Sequence, residues 1–131
     1  MNRFLNYCTT VALGLFAATA IATPPKHLIT HNRTDFESNA FVDGTIPSQH
    51  PTKAHDDGKV PWAAVKLACF GHTNGDICSA LIKIATNTNN PINLGFLEMD
   101  LKTGDITPKQ LSANGYTITV NGPGETAITA N

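Results

Sequence analysis

Alternation of apolar and polar positions dominates the second half of this chain. Ala63, Val65, Leu67 and Cys69 fall on every second residue, and Cys78, Ala80, Ile82 and Ile84 repeat the pattern. A period of two is that of a half-buried strand, so both segments are predicted as strands. An antiparallel hairpin would set Cys69 opposite Cys78, Leu67 opposite Ala80, Val65 opposite Ile82 and Ala63 opposite Ile84. The connecting residues 71–76 contain Asn74-Gly75, a strong turn pair.

A third strand is expected over 94–101. Its apolar phase is even at Leu94 and Phe96, then odd at Leu97, Met99 and Leu101. The slip beside Gly95 predicts a β-bulge. Lys102-Thr103-Gly104 fits a three-residue hairpin loop with glycine in the left-handed position, and Ile106 resumes a short strand. Thr107-Pro108-Lys109-Gln110 has the spacing of a capping box with proline at the first helical position. One helical turn is therefore expected there, in competition with a hairpin at Asn114-Gly115. Tyr116, Ile118 and Val120 alternate with Thr117 and Thr119, Asn121-Gly122-Pro123-Gly124 reverses the chain, and 126–130 forms the last strand.

Residues 23–59 read differently. Only 8 of these 37 positions are apolar, against 31 of 72 in 60–131. So few apolar side chains bury little surface, and an irregular N-terminal arm is predicted. Thr34-Asp35-Phe36-Glu37 has capping-box spacing, and Asp43-Gly44 is a turn dipeptide flanked by Phe41, Val42 and Ile46. The fold class expected from these patterns is all-β: a small antiparallel two-layer sandwich of immunoglobulin-like size. Five to six short strands carry it, with the arm and at most one or two helical turns.

Residues 1–22 form an export signal by pattern. Arg3 precedes the apolar stretch 11–22, which ends in Ala20-Ile21-Ala22, a small-x-small cleavage site. The stretch is shorter than the roughly 20 residues that span a bilayer. Cleavage after Ala22 would leave 23–131, made of the arm over 23–59 and a β-domain over 60–131. The mature protein is thus expected to be secreted or periplasmic and not membrane-spanning. Its cysteines reduce to Cys69 and Cys78, and two nearby cysteines in an exported chain read as one disulfide.

Charge and motifs narrow the function classes. The 131-residue chain carries a formal net charge of -1 with 15% charged residues. It has no basic surplus for nucleic acid. It contains no Gly-x-Ser-x-Gly, His-Glu-x-x-His or glycine-rich phosphate loop, and no cofactor is expected. Four of the five histidines lie in the arm. His27 and His31 are four apart, and His50 and His55 precede Asp56-Asp57, so all four are candidate metal ligands. His72, Asn74 and Asp76 sit in the stapled connection and make a candidate binding loop. Glu98 and Asp100 share one strand face as paired carboxylates. Asn32-Arg33-Thr34 has the pattern of a glycosylation acceptor. The segment 90–96 resembles a loop of chagasin-type cysteine-protease inhibitors, but its spacing is one residue longer and no residue role carries over.

The expected function is a non-enzymatic binding or envelope-structural role, with an unknown protein or envelope component as partner. A metal-binding protein using the arm histidines is the alternative, and a small hydrolase without a recognisable motif is a weaker one.

Overall fold

The structure is a computed structural model that describes residues 23–131; the export signal expected over 1–22 lies outside the described residues. Among the described residues eleven strands, not the five to six expected, and one helix follow in the order β1 His27–Arg33, β2 Ser38–Val42, β3 Ile46–Pro47, β4 Asp56–Pro61, α1 Trp62–Cys69, β5 Thr73–Asn74, β6 Ile77–Ile84, β7 Ile92–Asp100, β8 Ile106–Thr107, β9 Gln110–Ala113, β10 Tyr116–Gly122 and β11 Glu125–Ala130. One sheet has the order β4-β1-β11-β10-β9 and the other β3-β2-β6-β7-β8, with β5 paired to β6. The two sheets form the two-layer sandwich that the alternation predicts. β1 pairs β11 in parallel, while the remaining strand pairs are antiparallel.

Local turn chemistry explains most of the chain reversals. Asp43 and Gly44 both take positive φ at the β2–β3 turn, and Gly104 (φ 81°) closes the expected loop after β7. In that loop Asp100 is a turn residue rather than half of a carboxylate pair: its Oδ1 accepts hydrogen bonds from the Lys102 and Thr103 amides. Gly95 (φ 142°) marks the predicted bulge, where the β6–β7 register shifts between Ile82 and Lys83.

Other expectations are overturned as well. Residues 62–69 form a helix, not a strand. Trp62, Val65 and Cys69 face inward at helical spacing, while Leu67 and Phe70 are 76% and 81% exposed. Three alanines with Leu and Lys favour a helix, and β2 occupies the place beside β6 that the predicted hairpin would have taken. Nor is the segment 107–110 helical: β9 pairs β10 across Asn114-Gly115, so the hairpin prevails.

The arm is also not irregular. It supplies β1 to β4, with β1 seated between β4 and β11 and β2 against β6. Backbone pairing accounts for this, because ladder hydrogen bonds need no apolar side chain. Asn32 completes the arrangement from full burial. Its Nδ2 donates to the carbonyls of Phe36, Thr52 and Lys53, and its Oδ1 accepts from the Thr34 amide and hydroxyl. An asparagine this buried is closed to glycosylation in the folded protein, and the Thr34-Asp35-Phe36-Glu37 stretch is the turn it organises rather than a helix start.

The core lies between β6, β7 and β8 on one side and β10 and β11 on the other, centred on Ile84, Leu94, Leu97, Ile106, Ile118 and Ile128. A smaller cluster joins Val42 to the disulfide sulfurs of Cys69 and Cys78.

Candidate functional site

The disulfide forms as expected, with Cα atoms 6.0 Å apart. It ties the end of α1 to β6 rather than bridging two strands. At the other end of the helix, Trp62 Nε1 donates to the Leu101 carbonyl at 3.0 Å. Held at both ends, α1 turns Val65 and Ala68 toward a space that it lines together with strands of both sheets.

That space is a cleft between the sheets. β1 and β4 contribute Leu28 and Val60 to its wall, β2 and β6 contribute Val42 and Ile82, and α1 contributes Val65 and Ala68. It encloses about 130 Å³ and its surface is predominantly apolar. Ser48 and His50, on the segment that crosses from β3 to β4, lie at its margin. A second lobe of about 70 Å³ shares Leu28, Thr30, Ile82, Leu97 and Thr126 with the first and reaches Ser38 and Thr52. The sequence hides this site because the walls of its larger lobe come from eight elements. Its only local sign is a polar residue in an inward phase: Ser38 alternates with Ala40 and Val42, and Thr126 with Ile128.

The histidines are dispersed. His27 and His31 lie on one strand, where four residues span roughly 13 Å, too far to share a metal ion. His31 instead bridges two carboxylates, Nδ1 to Asp57 at 2.8 Å and Nε2 to Glu125 at 2.7 Å, with Arg33 also on Asp57. The Asp57 hydrogen bond, followed by that of Glu125, raises the His31 pKa above its ordinary value, and His31 in turn lowers that of Asp57. His55 meets Asp35 at 2.6 Å, and His50 stands apart at the cleft margin. Among the described residues no group of three or more His, Cys, Asp or Glu is gathered as metal ligands would be.

The candidate binding loop separates in the same way. His72 Nδ1 contacts Asp43 at 2.9 Å, and both line a shallow depression with Asn74, Ser79 and Glu98. Asp76 pairs instead with Lys102 at 3.3 Å. An Asp–His pair near a serine has the components of a nucleophilic triad, yet no hydrogen bond joins Ser79 to His72 among the described residues. Beside this depression, Phe41, Leu81 and Phe96 stand in register across β2, β6 and β7 on the outer face of the sheet. Lys83 lies 4.4 Å from the Phe41 ring centroid.

Fold, staple and cleft together define a small disulfide-bonded β-sandwich with an internal apolar site. The family model described as "T2SS substrate NttC" matches residues 1–131. The crystal structure of the Legionella pneumophila type II secretion system substrate NttC is similar, with a TM-score of 0.81 and 59% sequence identity, covering 82% of this chain and 99% of that one. The chain belongs to the NttC family of type II secretion system substrates, and it is a secreted protein. No curated protein sequence matches it. Among the described residues no helix is long and apolar enough to cross a membrane.

Proposed function

We propose that this secreted protein is a non-enzymatic binding domain that passes through the periplasm and holds a small, largely apolar molecule between its sheets. The cleft carries the reading. Protein interiors are close-packed, and an apolar cavity near 130 Å³ costs on the order of 3 kcal/mol relative to a filled core. That is a large share of the 5–15 kcal/mol typical of a domain. Shrinking the space is simple in sequence terms, since Ala64, Ala68 and Ala80 line it and larger residues at those positions would fill it. Concave apolar lining with a few polar groups at one side is the usual make-up of a small-molecule site. The disulfide supports passage through an oxidising compartment.

Toluene is a suitable probe, because an engineered cavity of about 150 Å³ admits a single benzene ring. Titration of the disulfide-bonded protein should give saturable amide shifts by NMR, concentrated around Leu28, Ile82 and Met99. Ala80→Leu should abolish them while leaving the sheet pairing intact. Shifts that never saturate, or that persist in Ala80→Leu, would refute the proposal.

A further inference from the structure

Three buried hydroxyls lie along the cleft. Ser38 is 3% exposed, and Thr52 and Thr126 are each 7% exposed. All three line the smaller lobe, and Thr126 lines the apolar lobe as well. Strand parity turns Ser38 inward with Ala40 and Val42, and Thr126 inward with Ile128. The backbones of Ser38 and Thr52 are satisfied, each amide donating to the other's carbonyl at 2.9 and 2.8 Å. Their side chains are not: none of the three hydroxyls makes a hydrogen bond to another described residue. Neighbouring Asn32 engages both ends of its amide, so the region is not short of well-made polar contacts. A buried hydroxyl without a partner is destabilising, and three of them along one cleft point to a ligand atom that meets them.

The charge on that ligand follows from the walls. No Lys, Arg, Asp or Glu lines either lobe, and His50 at the margin is exposed. An ionised group drawn into the cleft would lose its hydration without gaining a counter-charge. Hydroxyls, by contrast, both donate and accept and suit a neutral oxygen.

Resting on the cleft reading above, we infer that the ligand is a small uncharged amphiphile: an aromatic ring or short branched chain carrying one hydroxyl or carbonyl. Its apolar body lies in the larger lobe among Val42, Val65, Ile82 and Met99. Its oxygen lies at the smaller lobe, within reach of Thr126 and Ser38.

Three probes of matched shape test this on the disulfide-bonded protein: 4-methylphenol, toluene and 4-methylbenzoate at neutral pH. Affinities come from NMR titration. The phenol should bind about five- to tenfold more tightly than toluene, the worth of one net hydrogen bond, and the benzoate should be rejected. Thr126→Val keeps the shape and removes the hydroxyl. It should bring the phenol down to the affinity of toluene while leaving toluene binding and the urea midpoint essentially unchanged or improved. Ser38→Ala serves as the second variant should Thr126→Val not fold. Equal binding of phenol and toluene, or a preference that survives both substitutions, would overturn the inference and leave the apolar site standing. Benzoate binding as tight as that of the phenol would overturn the requirement for a neutral ligand. Failure of both neutral probes would remove the site and the inference together.

Discussion

Replacing Cys69 and Cys78 together with alanine isolates what the staple does for this fold. The bond closes a ten-residue loop, from a sequence separation of 9. Chain entropy assigns such a loop about 2.7 kcal/mol at 25 °C. Both sulfurs are also buried in the cluster with Val42 and Leu101, and their removal adds on the order of 1 kcal/mol. The expected loss is therefore roughly 3–4 kcal/mol. With a urea dependence of about 2 kcal/mol per molar, the unfolding midpoint should fall by roughly 1.5–2 M. The transition should stay cooperative and strand-rich, because Cys78 is held in β6 by backbone pairing to Thr73 and Met99. Trp62 should report the local effect through its fluorescence, since its bonds to the Leu101 and Lys26 carbonyls and the burial of Trp62 and Val65 then hold α1 in place. A midpoint shift under about 0.5 M would mean that the helix docks without the bond. Loss of a cooperative transition would mean that the sheets themselves depend on it, and either result would refute the reasoning.

Asn32→Ala should destabilise by about 3 kcal/mol in urea unfolding, because it removes five interior hydrogen bonds and leaves the Lys53 carbonyl and the Thr34 amide without a partner, while the Thr52 and Phe36 carbonyls keep the Ser38 amide and the Thr34 hydroxyl. Gly95→Ala should cost roughly 2–3 kcal/mol by the same assay: the backbone sits at φ 142° and an added Cβ would lie 2.5 Å from a Leu111 methyl carbon. The pH profile should show the His31 bridge. Its raised pKa means that the bridge contributes fully below the unfolded value near 6.5 and fades as pH rises through the higher folded value. The lowered Asp57 pKa makes the same bridge fade as pH falls below its unfolded value near 3.8. Stability should therefore decline from pH 6 toward pH 8.5 in the wild type, and His31→Gln should flatten that slope in thermal melts across the range.

Much of the β architecture is written locally. Inward alternation of Cys78, Ala80, Ile82 and Ile84 survives in β6 whatever strand lies beside it, because parity belongs to the strand itself. Asp43-Gly44, Gly104, Asn114-Gly115 and Gly124 turn the chain where their positive φ angles are needed, since that conformational freedom resides in single residues. The phase slip at Gly95 likewise needs no knowledge of the rest of the chain.

The tertiary structure decided what depends on distant partners. Residues 62–69 satisfied a strand period at Ala63, Val65, Leu67 and Cys69 and a helix period at Trp62, Val65 and Cys69. The choice fell to the helix because β2 and β7 flank β6 on both sides. Residues 23–59 looked too polar to fold, yet their backbone found partners in β6 and β11, and Asn32 found its acceptors 4, 20 and 21 residues away. The carboxylates of His31 lie 26 and 94 residues from it, so the local histidine spacing carried no sign of that bridge. The cleft belongs to the same class. Side chains that are apolar or small for unremarkable local reasons enclose a site only when two sheets and a stapled helix bring Leu28, Val42, Val65 and Thr126 around one volume, and that convergence is a property of packing, not of any segment.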